Sequence, residues 1–115
     1  MLLNIEKAYP ELVRTLDVIR FRQDGFTYEF VAKVELIDRS ILHIRDYLFF
    51  DGSHKYAYQW QYAEGKLIAR WDNARHWPNV SSYPHHVHTK DGDVLCSNVR
   101  SLEDVLAEIQ RRIRD

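Results

Sequence analysis

Lys55-Tyr56-Ala57-Tyr58-Gln59-Trp60-Gln61-Tyr62-Ala63-Glu64-Gly65-Lys66-Leu67-Ile68-Ala69-Arg70-Trp71-Asp72 reads as two β-strands joined by a tight turn. Tyr56, Tyr58, Trp60 and Tyr62 fall on one side of a two-residue period, and Lys55, Gln59 and Gln61 on the other. Glu64-Gly65 breaks the run where a glycine enters a turn without steric cost. The period then resumes, with Leu67, Ala69 and Trp71 on the apolar side and Arg70 and Asp72 on the polar side. An amphipathic helix would repeat every 3.6 residues, so this stretch commits the chain to a sheet with one face against a core.

Toward the N-terminus the same period runs back to Val18, closed at intervals by Asp51-Gly52, Asp38-Arg39-Ser40 and Asp24-Gly25. Connections this short join only antiparallel neighbours, because a parallel crossover needs about a dozen residues. A meander of about five strands follows. Its apolar row is extended by Phe26, Tyr28, Phe30, Val34 and Leu36, and its polar row by His43, Arg45 and Tyr47. One polar face results where the hairpin registers match; a bulge would scatter it.

The flanks read as helices. Ile5, Tyr9, Leu12, Val13 and Leu16 recur at helical spacing behind Asn4, a candidate N-cap, but Pro10 interrupts them. The expectation is a short helix before Pro10, then a kink or a restart. Past the turn at Asp91-Gly92-Asp93, Val94 to Cys96 is a candidate short strand. Ser101 and Asp104 have capping spacing, and Leu102, Val105, Leu106, Ile109 and Ile113 trace an apolar stripe. Arg111, Arg112 and Arg114 complement the dipole at its end. The expected fold is α+β: an antiparallel β-meander of about five strands with N-terminal and C-terminal helices packed on one face, as a single domain over residues 1–115.

A chain of 115 residues, 45% hydrophobic and 29% charged, can build one core without disulfides. The lone Cys96 has no internal partner, fits a reducing compartment and reads as a buried or half-buried thiol. No signal sequence or membrane-length apolar window is present, which makes cytoplasmic the expected location. A net charge of -1 gives no global attraction to nucleic acid, so any such contact must come from a local patch.

Arg70 to His88 holds four of the six histidines, with two prolines and two tryptophans, and has no clear period. Three roles fit it. His86 and His88 would project to the same side of an extended segment and could hold a metal, completed by His85, His76 or Asp72. Alternatively, a histidine base and acid with arginines on phosphate could cleave RNA without metal. The third role is structural: Trp71, Trp77 and Tyr83 seal a core edge, Asp72-Asn73 form an Asx turn, and the prolines stiffen a loop. Trp60 and Trp71, sharing a row with apolar residues, are assigned to the core.

The succession Arg45-Asp46-Tyr47, Lys55 to Gln61, Arg70-Trp71-Asp72-Asn73-Ala74, Pro84-His85-His86-Val87-His88 and Ser101 to Leu106 resembles the TumE-type family of small toxins from prokaryotic toxin-antitoxin modules. The resemblance spans about Tyr28 to Ile109. It implies a cytoplasmic toxin, neutralised by an antitoxin that is encoded beside it and carries a helix-turn-helix DNA-binding domain, with RNA or translation as target. The chain departs from the family pattern after Ala74, where it reads Arg75-His76-Trp77 in place of a proline followed by histidines. The site expected on this footing uses His85 or His88 as base or acid and Tyr47 and Lys55 to assist. Asp72 orients a histidine, and Arg45, Arg70, Gln61, His76 and His86 contact substrate. No metal or cofactor is assigned to it. Two rivals remain: a non-catalytic RNA- or antitoxin-binding module, and a metal-dependent enzyme using His86 and His88. A homo-oligomer is compatible with all three.

Overall fold

The computed structural model describes residues 4–114. A single seven-stranded sheet has its strands in chain order: β1 (Val13–Asp24), β2 (Thr27–Leu36), β3 (Ile41–Leu48), β4 (His54–Gln61), β5 (Leu67–Asp72), β6 (His86–Thr89) and β7 (Val94–Cys96). Every pairing is antiparallel. One helical turn, α1 (Ile5–Ala8), precedes the sheet, and α2 (Leu102–Arg114) follows it. Among the described residues no helix is long and apolar enough to cross a membrane.

The antiparallel meander and the C-terminal helix agree with the sequence, while the strand number rises from about five to seven. The segment Val13 to Leu16, expected to restart a helix after Pro10, belongs to β1. The strand's β-branched Val13, Thr15 and Val18 fit a pleated edge, and Pro10 blocks any extension of α1. Asn4 does sit at the N-cap of α1, but its side chain makes no capping bond. The sixth strand lies inside the histidine stretch that lacks a sequence period. Only four residues long, it is too short for alternation to stand out.

One sheet face carries Phe30, Ala32, Val34, Leu36, Leu42, Ile44, Tyr56, Tyr58, Trp60, Ala69 and Trp71, all buried. These pack with Leu102, Val105, Leu106 and Ile109 of α2, each fully buried. Ile5 of α1 and Leu12 join the same core. Phe26 and Tyr62, assigned to this row from sequence, are exposed because they occupy the turns at the strand ends. Trp60 and Trp71 are stacked at 6.4 Å, with the Arg112 guanidinium 5.7 Å from the Trp60 ring. The α2 start is capped as its spacing predicts: Ser101 Oγ accepts from the Asp104 N–H at 3.3 Å, and Asp104 accepts from the Arg100 N–H at 2.9 Å. Cys96, expected to be at least half buried, is exposed on the last, edge strand of the sheet.

Candidate functional site

The polar row crosses the sheet in register. Tyr47 faces Lys55 between β3 and β4, Gln59 faces Arg70 between β4 and β5, and Arg70 and Asp72 face His88 and His86 between β5 and β6. His86 and His88 therefore extend the polar face as a further strand, where the sequence suggested a loop folded over it. Within β3 to β6 the register shifts between Trp60 and Gln61, which brings Gln61 opposite Leu67. Gln61 accepts a hydrogen bond from Gln59 Nε2 at 3.0 Å.

Where β4 begins and β5 ends, a cleft of ≈ 540 Å³ runs across the strand ends, lined in part by Lys55 and Arg70 of the polar row, by His54, Tyr56 and His85 on the α2 side, and by Arg75. Asn73 shapes its floor: its Oδ1 accepts from the Tyr56 N–H at 3.0 Å and its Nδ2 donates to the His54 carbonyl at 2.7 Å. The side chain thus replaces ladder bonds at the point where the strands part. An adjoining depression of ≈ 380 Å³ includes His43, Arg45, Gln59 and Arg70. Arg70 spans both, donating to Gln59 Oε1 at 2.9 Å and to Asp72 Oδ2 at 3.1 Å. Burial, then the charges of Lys33 and Arg45, hold His43 below the usual histidine range.

Two histidines flank Tyr56 in the cleft, at ring separations of 5.2 Å for His54 and 5.8 Å for His85. The Tyr56 hydroxyl donates to the Val99 carbonyl at 3.1 Å and lies 2.7 Å from His85 Nδ1. In the tautomer that places its single proton on the carbonyl, His85 Nδ1 donates to the phenol oxygen. That leaves Nε2 as the basic nitrogen of His85. Burial, aided by the Arg100 charge, holds His85 below the usual histidine range. Burial also raises Tyr56 above the ordinary tyrosine range, which keeps its proton in place.

His54 is oriented from the other side by Asp46, a carboxylate only 2% exposed on the apolar row. His54 Nε2 lies 2.6 Å from Asp46 Oδ1, and the hydroxyls of Tyr58 and Tyr28 donate to Asp46 at 2.6 and 2.9 Å. Burial alone would raise Asp46, but these hydrogen bonds outweigh it and hold the group below the usual carboxylate range. Burial and the Asp46 charge push both tyrosines upward, so they remain donors. Sequence reasoning missed this pair. The signal available was a carboxylate in phase with Leu42 and Ile44, because a charge on a buried row requires partners.

The expected site residues therefore divide. Lys55, Arg70, Asp72 and His85 share the cleft. His88 lies with His86 and Asp72 on the other side of the strand from His85: His86 Nε2 is 2.9 Å from Asp72 Oδ1 and 3.1 Å from His88 Nε2. Burial holds His88 below the usual range, although Asp72 opposes it. Arg45 lines the adjoining depression. Tyr47 stacks on Phe49 at 6.3 Å and lines neither hollow, and His76 is exposed. Asp72 also makes the expected Asx turn, accepting from the Ala74 N–H at 3.0 Å.

Among known proteins, the family model described as Toxin TumE matches residues 3–115. No curated protein and no solved structure matches the chain.

Proposed function

Because the chain belongs to the TumE toxin family, we propose that it is the toxin of a toxin-antitoxin module and cleaves RNA by acid–base chemistry in the Tyr56 cleft. The observation that carries this reading is the meeting of two differently held histidines and three cations in one hollow. His85 Nε2 takes the proton of a ribose 2′-hydroxyl, whose oxygen attacks the adjacent phosphorus. The bond to the 5′-oxygen breaks as His54 donates a proton to it, leaving a 2′,3′-cyclic phosphate and a 5′-hydroxyl. Asp46 orients His54 and balances its charge when protonated, as a buried carboxylate does for a catalytic imidazole. Lys55, Arg70 and Arg75 stabilise the charge on the phosphoryl oxygens, and Arg45 extends the track along the backbone.

The reading also assigns a cognate antitoxin with a helix-turn-helix DNA-binding domain and a cytoplasmic site of action. Induced expression in bacteria tests it, with growth and total RNA followed for the native chain and for His85→Ala and His54→Ala. General acid–base groups contribute about 10²–10⁴-fold, so each variant should lose most cleavage and relieve toxicity. Folded variants as toxic as the native chain, with the same RNA products, would remove the acid–base assignment. RNA binding without any product would favour a non-catalytic module.

A further inference from the structure

Outside the Tyr56 pair, one cluster brings potential metal-ligand atoms of three residues together. Asp72 at the end of β5 and His86 at the start of β6 are directly paired across the ladder, and His88 follows two residues on. All three side chains stand on the sheet face away from α2. Their ligand atoms lie within 4.8 Å of one another. His86 Nε2 is 3.1 Å from His88 Nε2 and 2.9 Å from Asp72 Oδ1, and His88 Nε2 is 3.5 Å from Asp72 Oδ2.

The donor inventory sharpens the point. His86 Nδ1 faces the Pro84 carbonyl at 3.0 Å, and that oxygen only accepts, so Nδ1 carries a proton. A neutral His86 then presents a bare Nε2 to a carboxylate oxygen and to a second imidazole nitrogen. One possible ligand atom from each residue falls within 4.8 Å of the other two, and His86 and Asp72 are only 1% and 4% exposed. Ligands bound tetrahedrally at the zinc–nitrogen distance are separated by about 3.3 Å, in the middle of the observed spacings. A bond from a histidine's other nitrogen to a backbone carbonyl commonly fixes the tautomer and ring orientation of a metal ligand. Trp77 stands edge-on to both rings, at 6.4 Å from His86 and 6.1 Å from His88.

We propose that Asp72, His86 and His88 form a site for one divalent transition metal ion of the zinc class. Two imidazoles and a carboxylate suit zinc better than magnesium or calcium, which take mainly oxygen. The ion would take one ligand atom from Asp72 on β5 and one each from His86 and His88 on β6, and so tie β5 to β6. It thereby pins both ends of the 73–85 connection that carries His85. The site rests on the geometry of these two strands and does not depend on RNA cleavage by the Tyr56 cleft.

The test uses the full chain without an affinity tag, stripped with chelator and titrated with zinc by calorimetry, alongside thermal melts with and without zinc. The native chain should take up one equivalent and melt at a higher temperature with zinc. His88→Ala removes a partly exposed side chain and, checked as folded by circular dichroism, should bind at least about tenfold more weakly. Lys90→Ala, in the exposed turn between β6 and β7, should match the native chain. Cobalt in place of zinc should give the visible absorption of a tetrahedral ion in the native chain and lose it in His88→Ala. Absence of saturable zinc binding by the native chain, or equal affinity in folded His88→Ala, overturns the site. Loss of RNA cleavage in His85→Ala leaves it untouched, so the two readings fail separately.

Discussion

Asp46 shows how a single buried charge can be structural and functional at once. Its carboxylate sits on the core row, where an unpaired charge would cost several kcal/mol, and it is satisfied by Tyr28, Tyr58 and His54. The same three bonds aim His54 at the cleft. Because its folded-state value is depressed, Asp46 contributes stability that is fully present above the ordinary aspartate range and is lost as pH falls through the folded value. The urea midpoint of the native chain should therefore drop on acidification below about pH 4. Asp46→Asn should be less stable at neutral pH by about 2–3 kcal/mol, since an amide nitrogen meets donors it cannot accept from. Its midpoint should also fall less over the acid window. Parallel acid limbs for the two proteins in urea titrations would show that Asp46 is not the group responsible.

The elements differ in how openly the sequence declares them. Strands β2 to β5 were legible because aromatic and polar residues alternate between turns, and α2 because its cap and apolar stripe agree. The prediction from α2 is quantitative: Leu106 is fully buried against the sheet, so Leu106→Ala should cost about 2–5 kcal/mol by urea denaturation. A loss under about 1 kcal/mol would mean that α2 is not a permanent part of the core. The start of β1 was misread because Ile5, Tyr9, Leu12, Val13 and Leu16 satisfy a helical period by coincidence, while the β-branched residues among and after them select an edge strand. Strand β6 was hidden because its outward row is itself histidine, so no polar–apolar contrast marks it. Half of the candidate site could be read in the sequence, Lys55 and Arg70 from the polar row and His85 from the histidine-rich stretch. The partnership of Asp46 and His54 could not, because it depends on a hairpin register that sets Leu48 opposite His54 and leaves Asp46 within reach.

At the scale of the whole molecule, a nearly neutral chain has sorted its charge. The Cα atoms span 36 × 36 × 21 Å, a slab whose α2 face is apolar and whose other face carries Arg45, Lys55 and Arg70, with Arg75 beside Lys55 and Arg70 in the cleft at the strand ends. With a net charge of -1 there is no long-range attraction to a polyanion, so RNA affinity must come from these local cations. Counterion release then sets the salt dependence. Four phosphate contacts on single-stranded RNA give a slope of about −3 in log affinity against log salt, at about −0.7 for each contact. Arg70 is held by Gln59 and Asp72, so its removal would also disturb the strand pairing, whereas Lys55 and Arg75 are exposed. Replacing those two with alanine should bring the slope to about −1.5 without lowering the urea midpoint. Binding isotherms on a non-cleavable RNA, with 2′-deoxy sugars at the reacting positions, measure this directly. A slope unchanged in the double variant would place the RNA on another face and separate it from His54 and His85.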